Sequence, residues 1–285
     1  MDSSPSPDLQ QFTGYLLRLA YVKSAGAAQE CIPEDTHIRE VAILSILAEQ
    51  GAMSQRALSE VTHVNRSLIV KLVDGLEAKG WVIRERNPHD RRSYALQLTR
   101  AGEEALANLN DDVDKGEAEL NAALTADEVD RLKSRLRELL VDDPALTVTS
   151  LTDRTGYLIT HAHHTLRGWA ERGLEPLGLH PRDFGVLMTI ARDEPCSQAH
   201  LAAALGVSSP AALCFLDRLE AVGYVSRSRD PGDRRLLALT LTEAGRSCLE
   251  RARHAVAGVQ EQIAARLGPT GDADLRALLS KLLTR

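Results

Sequence analysis

Aromatic residues make up only 4% of this chain, and methionine occurs three times. Leucine, valine and alanine must therefore fill whatever core it builds, which favours helices packed through aliphatic side chains. The four cysteines, Cys31, Cys196, Cys214 and Cys248, are scattered without a Cys-x-x-Cys pair. That spacing argues against a disulfide framework and against a structural zinc site of the usual kind. No uncharged apolar run approaches the roughly 18–20 residues that a membrane span requires. The opening Met1-Asp2-Ser3-Ser4-Pro5-Ser6-Pro7 is polar and lacks the basic and apolar regions of a signal peptide. Residues 1–8 are therefore expected to form a disordered tail, and the protein to be cytoplasmic with no membrane partner. The marks of an enzyme are missing too: no phosphate-binding glycine loop, no Gly-x-Ser-x-Gly and no His-Glu-x-x-His. A net charge of −6 argues against a sequence-blind nucleic-acid coat but leaves room for a local basic patch.

What the chain does have is a second copy of itself. Asp90-Arg91-Arg92 returns as Asp233-Arg234-Arg235, an offset of 143 residues since 233 − 90 = 143, and the register holds without a gap from 37–106 to 180–249. Ser54-Gln55, Leu58, Asp74, Leu76-Glu77-Ala78, Gly80, Arg84, Arg86, Pro88, Thr99 and Ala101-Gly102 all recur. A solenoid repeats every 20–50 residues or so. A period this long means two whole domains, and 285 residues suffice for both.

Each copy reads in the same order. A long helical opening spans Leu9 to Gln29 in the first and Leu151 to Leu174 in the second, each containing Thr-Gly-Tyr-Leu. A second apolar helix follows, with Val41, Leu44 and Leu47 at helical spacing and Phe184, Leu187 and Ile190 as counterparts. Ser54 is placed to cap a short helix, a turn follows near Thr62–Val64, and a further helix from Asn65 to Lys79 is closed by Gly80. Two short helices joined by a tight turn fit a helix-turn-helix. The period then shortens: Trp81–Arg86 reads as a strand, Asn87–Asp90 as a turn, and Tyr94, Leu96 and Leu98 alternate as a return strand. A hairpin directly behind a helix-turn-helix is a wing. Thr99 and Thr242 open a long polar helix, and each copy ends in a shorter one, 127–140 and 272–283. The expected organisation is a first unit over 9–141, a linker over 142–150 and a second unit over 151–285.

A helix-turn-helix sets the start of its second helix in the major groove, where Arg suits guanine and Asn suits adenine. In the first copy that start is Asn65-Arg66-Ser67, with Lys71 one turn further on, while Leu68, Leu72, Val73 and Leu76 are expected to face the core. In the second copy the same columns hold Ser208, Ser209, Pro210 and Cys214, so both basic positions are neutral. The wings keep their charge in both: Arg84, Arg86, Asp90, Arg91 and Arg92, then Arg227, Arg229, Asp233, Arg234 and Arg235. Arginines crowded on one short hairpin suit phosphates and a narrow minor groove, with each aspartate aiming a neighbour. Residues 63–92 hold seven Lys/Arg against four Asp/Glu, and 206–235 five against four, so the first head is the more basic.

The pattern Gly-x-Val-x-Arg-x-Arg-x-Pro-x-Asp-Arg-Arg, followed by Leu-x-Leu-Thr-x-Ala-Gly, resembles the winged-helix signature of MarR-type transcriptional regulators. The resemblance reaches nearly the whole chain outside the N-terminal tail. It implies a mainly α fold with small β-hairpins (α+β), two winged helix-turn-helix domains joined by an interlocked helical, dimerisation-like region. It further implies a bacterial repressor of double-stranded operator DNA. The family dimerises, so one chain here would supply both halves as a monomeric pseudo-dimer. Family members also commonly hold a small aromatic or phenolic effector beside the dimerisation helices, for which Tyr15, Tyr21, His161, His164 and Trp169 are the candidates. No metal set and no cofactor is assigned. His161, His163 and His164 read as scattered surface histidines, and the cysteines as buried or incidental thiols. The competing function is a winged-helix protein–protein interaction module that has lost DNA binding.

Overall fold

A computed structural model describes residues 7–87, 90–229 and 237–284, with side chains over 9–86, 94–228 and 238–284. Helix α1 (Pro7–Gln10) precedes α2 (Thr13–Cys31) and α3 (Ile38–Gln50). The expected tail therefore already turns helical at Pro7; residues 1–6 lie outside the described residues. At the start of α3 the His37 backbone N–H donates to Glu40 Oε2 at 2.9 Å, and the equivalent His180 N–H donates to Asp183 Oδ2 at 2.5 Å. Each carboxylate occupies a donor that the first helical turn would otherwise leave unpaired.

The head of the first copy consists of β1 (Met53–Ser54), α4 (Gln55–Thr62), α5 (Arg66–Ala78), β2 (Val82–Asn87) and β3 (Asp90–Leu98). Its three strands lie in the order β1-β3-β2, all antiparallel, with Met53 opposite Leu96, and Val82 opposite Leu98. Helix α6 (Arg100–Asn121) and α7 (Ala126–Leu139) follow. A 3₁₀ turn (Pro144–Thr147) and α8 (Thr149–Thr152) occupy the expected linker and lead into α9 (Thr155–Leu174). The second copy repeats the plan with α10 (Pro181–Asp193), β4 (Cys196–Ser197), α11 (Gln198–Leu205), α12 (Ser209–Ala221), β5 (Val225–Arg229) and β6 (Leu237–Leu241). Its strands run β4-β6-β5, and Cys196 faces Leu239 in the register that Met53 and Leu96 keep. One element, α13 (Glu243–Leu282), closes the chain; it is broken at Gly268, whose φ of 69° is not helical.

The chain divides into two compact units, one of residues 1–15 and 166–272, the other of 16–165 and 273–285. These boundaries differ from the expected 9–141 and 151–285, and each falls inside a long helix. The reason is that short terminal pieces cannot bury an apolar face alone. In the unit of the first head, Val148 and Leu151 join the core of Leu44, Ile46, Leu58, Ile69, Leu76 and Leu96, and Tyr157 packs on it. Asp274 of the same unit pairs with Arg131 at 2.5 Å, and Lys281 with Glu128 at 2.6 Å. In the other unit, Leu9 joins the core of Phe184, Leu187, Leu216 and Leu239, with Phe12 edge-on to Phe184.

Candidate nucleic-acid interface

Helix α5 begins at a cap. Asn65 Oδ1 accepts from the Leu68 N–H at 2.9 Å, so the helix starts sharply and its first turn stands clear of the turn before it. Asn65, Arg66, Ser67 and Lys71 are all exposed, while Ile69, Leu72, Val73 and Leu76 are buried. Leu68, expected in the core, is only half-buried; Ile69 takes the fully buried place because helical geometry carries it to the inner face. The four polar residues thus share the outward first turn and a half of the helix.

Helix α12 has the same construction with different chemistry. Ser208 Oγ accepts from the Ala211 N–H at 3.4 Å, and Pro210 sits in the first turn, where a missing N–H costs nothing. Ser208, Ser209, Pro210, Leu213 and Cys214 are exposed, and none carries a charge. Such a face can offer base edges two hydroxyls, a proline ring, an apolar leucine and a thiol.

In the wings the arginines divide. Arg84 on β2 reaches back to α5 and pairs with both Asp74 and Glu77. Arg227 on β5 does the same with Asp217, at 2.6 Å, and Glu220, at 3.5 Å. Each guanidinium thus forms a strut between the wing and the helix behind it, because two carboxylates one helical turn apart lie under it. Arg86 is exposed, and its backbone faces Tyr94 across the hairpin. The side chains of Asp90, Arg91, Arg92 and Arg229 lie outside the described residues, as do Asp233, Arg234 and Arg235 altogether.

Behind the first head, within the same unit, lies a cavity of about 270 Å³. Tyr21, Tyr157, His161, His164, Arg39 and Arg154 are among its lining. Of the expected effector residues, Tyr21, His161 and His164 meet here, with Tyr21 stacked on His163 at 4.8 Å between ring centroids. Tyr15 and Trp169 belong elsewhere: Tyr15 donates to the Ala204 carbonyl at 3.1 Å, and Trp169 lies under Arg266. Nor are the histidines scattered on the surface. His161 is 2% exposed, because α9 turns it inward beside Tyr157, and burial pushes its pKa down. Glu117, which accepts from the Thr155 and Gly156 N–H groups at 2.8 Å each, has its pKa raised by burial despite those bonds. Arg39 donates to the Tyr21 hydroxyl at 3.1 Å, and Arg154 donates to Asn110 at 3.1 Å while its Nη1 is buried with no hydrogen-bond partner among the described residues.

Two stretches of the chain, 37–94 and 177–236, match the MarR family. A transcriptional repressor of the helix-turn-helix type from Mycobacterium bovis is 32% identical over 127 residues, which is 45% of this chain and 91% of that protein. The chain belongs to the MarR family.

This is a family of transcriptional regulators, not of enzymes, and here its domain occurs twice in tandem. A protein named for transcriptional regulation of the hcr operon in Thauera aromatica is 37% identical over 101 residues, 35% of this chain and 61% of that protein's length. Among solved structures, the repressor CouR from Rhodococcus jostii, bound to a 23-mer DNA duplex, is 29% identical with a TM-score of 0.47. That match covers 48% of this chain and 96% of CouR.

The MarR signature also gains a physical explanation. Its Thr-x-Ala-Gly ends the wing and opens α6: Thr99 Oγ1 accepts from the Gly102 N–H at 3.0 Å and donates to the Gly80 carbonyl at 2.7 Å. A Cβ on Gly102 would sit 2.2 Å from the Trp81 carbonyl oxygen, and one on Gly245 2.0 Å from that of Tyr224. The struts Asp74–Glu77–Arg84 and Asp217–Glu220–Arg227 were visible as recurring letters, but nothing in spacing alone distinguishes a strut from a phosphate contact. Arg39, Arg154 and Tyr157 carried no signal, since α3 and the start of α9, more than a hundred residues apart, bring them together.

Proposed function

We propose that this chain is a DNA-binding repressor that reads its operator chiefly with the first head and releases it on binding a small anionic aromatic ligand. The observation that carries the reading is the contrast at the two reading helices: Asn65, Arg66, Ser67 and Lys71 exposed on one, Ser208, Ser209, Pro210 and Cys214 exposed on the other. The first set suits base edges and phosphate; the second suits neither strongly. One chain carries both heads where the family uses two protomers, which frees the halves to diverge and suits an asymmetric or pseudo-palindromic operator. The ligand class follows from the cavity. Its volume is near the small end of ligand sites, which run from about 300 Å³ upward. Arg39 and Arg154 can face a carboxylate there, and Tyr21 and Tyr157 an aromatic ring.

The test is selection of bound duplexes from a random pool, then mobility shifts at two salt concentrations. A steep fall in affinity with salt is expected from phosphate contacts. Arg66→Ala should cost about 1–3 kcal/mol and relax base preference in one half-site. Ser209→Ala should change little. Equal damage from the two would remove the asymmetry, and no shift at low salt would favour a protein–protein interaction module instead.

A further inference from the structure

The turn of the first helix-turn-helix holds an oddity. His63 ends α4 in the left-handed conformation with φ 52°, and among the described residues no other non-glycine has a positive φ. The second copy places Gly206 at the corresponding position, with φ 61°, as the conformation favours. A histidine where glycine fits better turns attention to what its side chain touches.

That side chain meets two others from distant parts of the chain. His63 Nε2 lies 2.9 Å from Asp143 Oδ2, on the connector between the copies. His161 Nδ1, on α9, lies 3.9 Å from Asp143 Oδ1 and is buried with no hydrogen-bond partner among the described residues. Asp143 is held from behind: Oδ1 accepts from the Ala145 N–H at 2.9 Å and Oδ2 from the Thr165 hydroxyl at 3.0 Å. The three ligand atoms all lie within 4.8 Å of one another. Nitrogen and oxygen donors about 2.0–2.2 Å from a tetrahedral ion stand roughly 3.3–3.5 Å apart, so these separations bracket the requirement.

A plain His63–Asp143 hydrogen bond explains one of these contacts and leaves the inward nitrogen of His161 without a partner. We propose that His63, Asp143 and His161 form a binding site for a divalent transition ion of the zinc class. Two imidazoles and one carboxylate select zinc, cobalt, nickel or copper over magnesium and calcium, which prefer all-oxygen shells. Three protein donors leave a fourth position for water or an added ligand. His63 is partly exposed and supplies the way in. The ion would clamp the turn ahead of α5 to the connector and to α9, so its occupancy would bear on the reading head; that consequence rests on the proposed function.

The untagged full chain, stripped of metal, is titrated with zinc by calorimetry and with cobalt by visible absorption. One equivalent of zinc at micromolar or tighter affinity, with intense four-coordinate cobalt bands, is expected. His63→Ala and Asp143→Asn should each weaken zinc binding at least tenfold and reduce the cobalt bands, whereas His163→Ala, outside the triad, should not. His63→Ala changes a partly exposed side chain, so it reports even if substitutions at buried His161 fail to fold. Absence of stoichiometric binding, or equal affinity in wild type and His63→Ala, overturns the site. Mobility shifts with and without zinc separate the two readings: loss of all DNA binding at low salt would sink the proposed function while the ion titration still decides the site.

Discussion

Arg84 and Arg86 sit two residues apart on one strand, and their charges have different uses. Arg84 is closed over by Asp74 and Glu77, so its charge is already balanced before DNA arrives. Arg86 is exposed, with its charge open to an approaching phosphate. Arg86→Ala is therefore expected to reduce the slope of log affinity against log salt by about one, the signature of one lost phosphate contact. Arg84→Ala should leave that slope nearly unchanged. Because its ion pairs are partly solvated, its effect on stability should stay within about 1 kcal/mol for each pair. Mobility shifts over a range of salt concentrations separate the two; a matching drop in slope for Arg84→Ala would mean that the strut opens on DNA.

Two joints set the positions of the elements. The first is the meeting of wing and α6 at Gly102. Alanine usually gains up to about 1 kcal/mol over glycine inside a helix, but here its methyl would meet a backbone carbonyl at 2.2 Å, which cannot swing aside. Gly102→Ala should instead cost about 1–3 kcal/mol in denaturant unfolding, the usual range for overpacking. The second joint is Glu49 at the end of α3, which accepts from the Thr149 and Ser150 N–H groups at 2.7 and 2.9 Å and from both hydroxyls. The side-chain bond from Ser150 leads in pulling its pKa from 4.5 down to about 2. A depressed acid contributes stability above its unfolded value and loses it as pH falls through its folded one. Wild type should therefore lose this contribution between pH 4.5 and 2, and Glu49→Gln, lacking it throughout, should show a shallower acid decline over that window. Thermal unfolding at pH 7, 4 and 2.5 measures it; parallel declines would mean that solvent competes the bonds away, since the carboxylate is exposed.

For the whole molecule, the proposed reading has tandem duplication replace an equilibrium between protomers with a covalent bond. Once one head is engaged, the second engagement is intramolecular and does not depend on protein concentration. One 31.1 kDa chain per duplex is therefore the expected stoichiometry, unchanged on dilution. Sedimentation of the complex over a range of concentrations checks it, and a shift to two chains per duplex would show that the tandem pair still needs a partner. Duplication also relaxes constraint. In a homodimer every substitution at the reading helix appears twice, whereas here Lys71 persists while its counterpart is Cys214.

Local chemistry was readable from the chain alone. The duplication, the helix-turn-helix, the hairpin, the cap at Ser54 and the helix start at Thr99 follow from periodicity and from side chains that bond to backbone a few residues away, and such signals sit close together in sequence. The exposed face of α5 was legible for the same reason, since helical spacing separates Arg66 and Lys71 from Leu72 and Leu76. Only the tertiary structure decided the rest. It turned Arg84 and Arg227 into struts, made Ile69 rather than Leu68 a core residue, and placed Tyr15 and Trp169 away from the cavity that Tyr21, His161 and His164 line. It drew the unit boundaries inside helices α2, α9 and α13, and it brought His63, Asp143 and His161 together from three separate segments. Those outcomes depend on which faces bury against one another, a long-range competition for apolar surface that no local spacing records.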